Sequence, residues 1–252
     1  MIRIGISGWT YPPWRDVFFP KGLSQKRELE FASRNFRSIE INGTFYSLQR
    51  PESFRNWYEV TPEGFVFSLK GSRFITHLKR LNEIERTLPN FFASGVLELR
   101  EKLGPFLWQF PPNFRFEPER FELFLQALPK STPEASAIAF HHDSWMEGRV
   151  TVEPLVDQPI RHCVEARHES FMAPEVFQLL KKYKVAFVFA DSAGLWPYAE
   201  DITSDFLYLR LHGAEQIYSS GYTDAALAWW ADRIRKWTSG ETPADPKLRL
   251  PA

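Results

Sequence analysis

The side chains best suited to chemistry in this chain sit at the ends of short apolar runs: Glu40, Asn42, Lys70, Gln109, Glu165, Arg167, Asp191, Arg210 and His212. Glu40, Glu165 and Asp191 are the candidates for moving protons, work that needs a carboxyl group within hydrogen-bond reach of the reacting atom. Lys70, Arg167 and Arg210 would grip an anionic or hydroxyl-rich group, arginine through a two-pronged fork and lysine as a point charge. Asn42, Gln109 and His212 would orient what the cations hold. Aromatic residues stand nearby in the chain: Trp9, Tyr11 and Trp14 after the first apolar run, Tyr46 after the second, and Tyr218 and Tyr222 around Gly221 after the last. Trp9, Tyr11, Tyr46 and Tyr222 are assigned to substrate binding, as stacking surfaces or parts of a closing loop. The plainer alternative is a salt-bridge layer in which the acids and cations neutralise one another.

Residues so far apart in sequence meet only if regular elements carry them to one place. Short β-type runs over 3–9, 38–46, 65–73, 105–111, 161–167, 185–191 and 206–212 alternate with helical periodicity, the pattern of parallel strands joined by crossover helices. Helix starts are signalled by Ser24, Pro51, Pro118, Pro174 and Thr223, with a longer helical stretch over 81–99 and a helix, rather than a strand, over 135–142. Along a strand, side chains alternate between two faces. Glu40 and Asn42 therefore oppose Ile39 and Ile41, Lys70 opposes Leu69, Gln109 opposes Trp108 and Phe110, and Arg210 and His212 oppose Leu209 and Leu211. The predicted fold is an α/β, TIM-type barrel with seven identifiable strands and the eighth missing or atypical. In such a barrel, chemistry gathers at the C-terminal ends of the strands. The expected organisation is one barrel domain over residues 1–240, followed by a Pro-rich tail over 241–252.

These same stretches resemble the domain of unknown function 72, the YecE-like family. The resemblance rests on Ile4-Gly5-Ile6-Ser7-Gly8-Trp9-Thr10-Tyr11, Ile39-Glu40-Ile41-Asn42-Gly43-Thr44-Phe45-Tyr46, Phe67-Ser68-Leu69-Lys70, Leu107-Trp108-Gln109-Phe110-Pro111-Pro112, Glu165-Ala166-Arg167-His168-Glu169-Ser170-Phe171, Ala190-Asp191-Ser192 and Tyr208-Leu209-Arg210-Leu211-His212-Gly213. It implies a TIM-type barrel and carries no settled activity. Chains of this kind have a last strand ending in an Asn-Asp pair, which this sequence does not contain.

Bulk composition narrows the function classes. Lys plus Arg and Asp plus Glu both number 31, so no overall field draws the chain to nucleic acid or anionic lipid. The single Cys163 excludes an internal disulfide and a thiolate metal cage, in keeping with a reducing cytoplasm. No export signal or membrane-spanning run of about eighteen apolar residues is visible. His141-His142-Asp143 has the residue types of a metal site but no ligand spacing such as HExxH, and Glu40, Glu165, Asp191 and His212 would converge more easily. No metal is assigned, no cofactor is identified, and the oligomeric state is not indicated. The expected function is an enzyme, hydrolase or lyase, acting by general acid/base chemistry on a phosphorylated or polyhydroxylated small molecule. The alternatives are a nucleic-acid-binding or phosphodiester-processing protein and a non-catalytic ligand-binding barrel.

Overall fold

The computed structural model describes residues 1–213, 215–216 and 220–250. Seven strands form, β1 (Gly5–Ser7), β2 (Ser38–Ile41), β3 (Val66–Lys70), β4 (Leu103–Phe110), β5 (His162–Ala166), β6 (Ala186–Asp191) and β7 (Tyr208–Leu211). Their order in the sheet follows the sequence, and the described pairings are parallel. Parallel neighbours need crossovers. Helices α1 (Glu28–Asn35), α2 (Gly43–Tyr46), α3 (Pro51–Val60), α4 (Ile84–Ala93), α5 (Pro118–Ala127), α6 (Thr132–Ala139) and α7 (Pro174–Tyr183) supply them, and α8 (Asp224–Ser239) follows β7. Among the described residues, only the β6-to-β7 connection lacks a helix. This is an α/β fold consistent with a TIM-type barrel. No helix among the described residues is long and apolar enough to cross a membrane.

The chain divides into two compact units. The N-terminal unit comprises residues 2–108 and 127–162. Its strands carry fully buried Ile39, Phe67, Leu69, Phe106 and Trp108, the near-continuous apolar runs expected of parallel strands covered on both faces. Phe91 and Phe92 of α4 meet Phe106 edge-on.

Three expectations of the sequence change here. The run over 38–46 is strand only to Ile41, because the Thr44 hydroxyl donates to the carbonyls of Ile41 (3.0 Å) and Lys70 (2.7 Å) and turns the chain into α2. Tyr46 therefore ends a helical turn rather than a strand. The run over 65–73 stops as a strand at Lys70, and residues Phe74–Leu78 form a π-helical turn. The stretch over 81–99 is two elements: α4, then a 3-10 segment over Val96–Lys102, separated by Gly95 at φ +112°. Between the π turn and α4, Arg80, Leu81 and Glu83 adopt left-handed backbone conformations that side chains disfavour.

The C-terminal unit comprises residues 109–126 and 163–252, with Met1. Phe110, Phe114, Phe121, Phe124 and Phe171 form its aromatic core. Thr223 caps α8 by accepting from the amide of Ala226, as its side chain predicts. The tail after α8 makes specific contacts. Asp201 accepts from the amides of Arg249 (2.7 Å) and Leu250 (2.9 Å), and buried Arg233 ties Glu200 to Asp245.

Candidate functional site

Within the C-terminal unit, three of the sequence-predicted residues assemble around the carboxylate of a fourth. Glu165, near the end of β5, is 1% exposed. Its Oε1 accepts from Gln109 Nε2 (2.8 Å) and Arg167 Nε (2.8 Å), and its Oε2 accepts from Arg210 Nη1. Gln109, Glu165 and Arg210 lie on β4, β5 and β7, and Arg167 immediately follows β5. Burial pushes the Glu165 carboxyl up, but the Arg210 and Arg167 guanidiniums outweigh it and hold the group down at about 2. Glu165 is thus an anion throughout the ordinary pH range, a geometry that anchors arginines.

Arg167 spends only its Nε on Glu165. Its guanidinium lies 3.4 Å from the centroid of the Trp196 ring, and its two terminal nitrogens make no hydrogen bond among the described residues. A flat guanidinium held at Nε and backed by an indole presents a fork that matches a carboxylate or phosphate. His212 meets the edge of the same indole at 5.7 Å. Asp191, at the end of β6, accepts at Oδ2 from Tyr222 Oη (3.0 Å) and Trp230 Nε1 (3.3 Å). Tyr222 Oη in turn accepts from the amide of Gly213 (3.1 Å). Burial, opposed by that amide and reinforced by Asp191, pushes the phenol up to about 12. Gly213 holds φ at +121°, and a Cβ there would stand 2.6 Å from the carbonyl of Gln216, so the turn after β7 needs glycine. Tyr218, also expected in this loop, lies outside the described residues.

Within the N-terminal unit, Ser7 of β1 is the pivot. Its hydroxyl donates to Glu40 Oε1 (3.0 Å) and accepts from Asn42 Nδ2 (2.7 Å), while its carbonyl accepts from Tyr11 Oη. Lys70, at the end of β3, places its ammonium 4.2 Å from the Phe45 ring centroid. The next residue is Gly71, where a Cβ would stand 2.2 Å from Trp108. Trp9 packs edge-on against Trp57 of α3, and exposed Tyr46 carries the Arg73 guanidinium at 5.7 Å.

No group of three or more His, Cys, Asp or Glu side chains placed to hold a metal occurs among the described residues. Asp143, singled out with His141 and His142, has its carboxylate taken by Asn90, Trp145 and Arg86. His168 accepts from the amide of Ser170 and caps a short turn. Sequence reasoning passed over Trp196, Trp230 and Ser7. Ser7 follows from the alternation along β1, but Trp196 lies in an irregular segment without periodicity, where no sequence signal distinguishes a platform from a filler.

The family described as Protein of unknown function DUF72 matches residues 3–246. Among curated relatives, the UPF0759 protein YunF of Bacillus subtilis (strain 168) is 27% identical over 150 residues, covering 58% of this chain and 52% of that protein. The UPF0759 protein YecE of Escherichia coli (strain K12) is 31% identical over 131 residues, 51% of this chain and 45% of that one. The chain thus spans about half the length of the curated relatives it matches. A DUF72 family protein from Thermotoga maritima MSB8 superposes with a TM-score of 0.73 at 23% identity, covering 96% of this chain and 89% of the other. A DUF72 family protein from Enterococcus faecalis V583 gives 0.68 at 19% identity, with 96% and 86% coverage. At these identities, the likeness is one of fold.

Proposed function

The chain belongs to the DUF72 family, and from that starting point we propose that it is an enzyme, hydrolytic or lyase-like, that grips an anionic small molecule with Arg167 and Arg210 and moves a proton with Asp191. The observation that carries this reading is the shared anchor: one buried carboxylate, Glu165, fixes both arginines and leaves the terminal fork of Arg167 without a hydrogen bond among the described residues. A phosphate or carboxylate on the substrate would complete that fork with two charge-assisted hydrogen bonds. Asp191, at the end of β6 and steadied by Tyr222 and Trp230, is the proton acceptor in this scheme. In this scheme Glu165 positions the arginines and does not itself transfer a proton.

The test is a thermal-shift screen with inorganic phosphate and a panel of phosphorylated sugars and carboxylates on the wild type and Arg167→Ala. A ligand at about a hundred times its Kd stabilises a fold by roughly 2.7 kcal/mol. Ligands should raise the wild-type melting temperature and leave Arg167→Ala unmoved, and those that bind should be consumed by the wild type but not by Asp191→Asn. Equal shifts in both proteins overturn the anion site. Binding without consumption overturns the enzymatic part and leaves a ligand-binding protein.

A further inference from the structure

The N-terminal unit holds a second candidate site, built from none of these residues. Phe74, Lys79, Glu83, Arg86, Thr87, Asn90, Asp143 and Trp145 line a cavity of about 140 Å³. Cavities of about 150 Å³ take up a single benzene ring. The chain goes to some conformational cost to shape this one: the π turn at Phe74–Leu78 and the left-handed Glu83 both contribute to its wall.

The side chains around it have an uneven balance of donors and acceptors. Asp143 is used up as an acceptor: Arg86 Nε reaches both its oxygens (3.1 and 3.0 Å), and Asn90 Nδ2 (3.0 Å) and Trp145 Nε1 (2.9 Å) reach Oδ2. Glu83 Oε1 accepts from Lys79 Nζ at 2.6 Å. The donors are not used up. Arg86 donates only Nε, its terminal nitrogens make no hydrogen bond among the described residues, and Nη1 forms a loose ion pair with Glu83 Oε2 at 3.9 Å. Lys79 keeps further N–H bonds to give. The unspent N–H groups of Arg86 and Lys79 suit a ligand that accepts their hydrogen bonds through a carboxylate.

The apolar walls say what its body is. Phe74 and Trp145 are 46% and 53% exposed, unusual for rings of this size in a chain that buries most of its aromatics. The indole is fixed by its bond to Asp143, and Arg149 lies over it at 4.7 Å. We infer that this cavity binds a monocyclic aromatic carboxylate, its ring against Phe74 and Trp145 and its carboxylate on the terminal nitrogens of Arg86. The site is independent of the Arg167 cluster, so either can fail without the other.

Isothermal titration of the full chain with benzoate tests it, with acetate as charge without ring and benzyl alcohol as ring without charge. Benzoate should saturate, and both controls should bind at least tenfold more weakly. Arg86→Gln and, separately, Phe74→Ala should each weaken benzoate at least tenfold. Both positions are largely exposed, so the variants should keep the wild-type circular dichroism spectrum, and Phe74→Ala leaves the Asp143 network untouched. The inference is overturned if benzoate does not saturate, if acetate binds as well as benzoate, or if both variants bind benzoate like the wild type.

Discussion

Replacing Glu165 by glutamine is the sharpest probe of the arginine cluster, because it keeps the shape and removes only the charge. Both oxygens of Glu165 face arginine donors, Oε1 that of Arg167 and Oε2 that of Arg210. Whichever way the glutamine amide turns, its NH2 meets a guanidinium, so at least one of the two arginines loses its acceptor. The magnitude follows from the carboxyl group itself, held at about 2 against an ordinary value of 4.5. That difference corresponds to about 3 kcal/mol of native-state stabilisation, which agrees with the 3–5 kcal/mol expected when one member of a buried ion pair is removed. Because the folded value is depressed, this stabilisation is fully present above the unfolded value and is lost as pH falls toward 2. Denaturant unfolding should therefore find Glu165→Gln about 3 kcal/mol less stable than the wild type at pH 7, with the gap falling to about half near pH 3. Equal stability at pH 7, or a gap that does not shrink in acid, would refute the claim that two guanidiniums depend on this one carboxylate.

Other perturbations follow from single contacts. Gly71→Ala would force a Cβ to within 2.2 Å of Trp108, so it should destabilise by at least the 1–3 kcal/mol typical of overpacking and alter the near-ultraviolet circular dichroism of that indole. Burial pulls His162 down to about 4 against the opposing pull of the Pro129 carbonyl, so its ring should titrate near pH 4 by NMR. Since the unfolded histidine takes its proton at higher pH, the stability this group contributes is present above about 6.5 and lost as pH falls to 4; a ring titrating near 6.5 in the native state would contradict its burial. Asp201→Ala removes the acceptor for the amides of Arg249 and Leu250. Hydrogen exchange at those two amides and tryptic cleavage after Lys247 should both accelerate, and unchanged rates would show that the tail is held elsewhere.

The strands were legible because each carries an apolar core that tolerates little else, and the polar residues at their ends could be picked out by alternation. What could not be read were the places where a strand stops. Gly43-Thr44-Phe45-Tyr46 has strand-forming side chains, yet a threonine hydroxyl bonded to Lys70, twenty-six residues away in sequence, bends it into a helix. The break at Gly95 in the 81–99 stretch was hidden for a related reason, since its neighbours continue the apolar pattern. In the candidate site, the sequence pointed to Gln109, Glu165, Arg167 and Arg210, which do join. It could not rank them: the roles of anchor and free fork depend on which nitrogen of Arg167 meets Glu165, and no spacing encodes that. Trp196 was invisible for the same reason.

The joint between Glu165 and its two arginines has one further consequence. The carboxylate that holds both guanidiniums sits near 2, so it stays an anion at any pH a cell reaches. The hold of Glu165 on Arg167 and Arg210 is therefore a constant of the molecule. Any acidity dependence in what the protein binds or converts must come from the incoming molecule or from groups outside this trio.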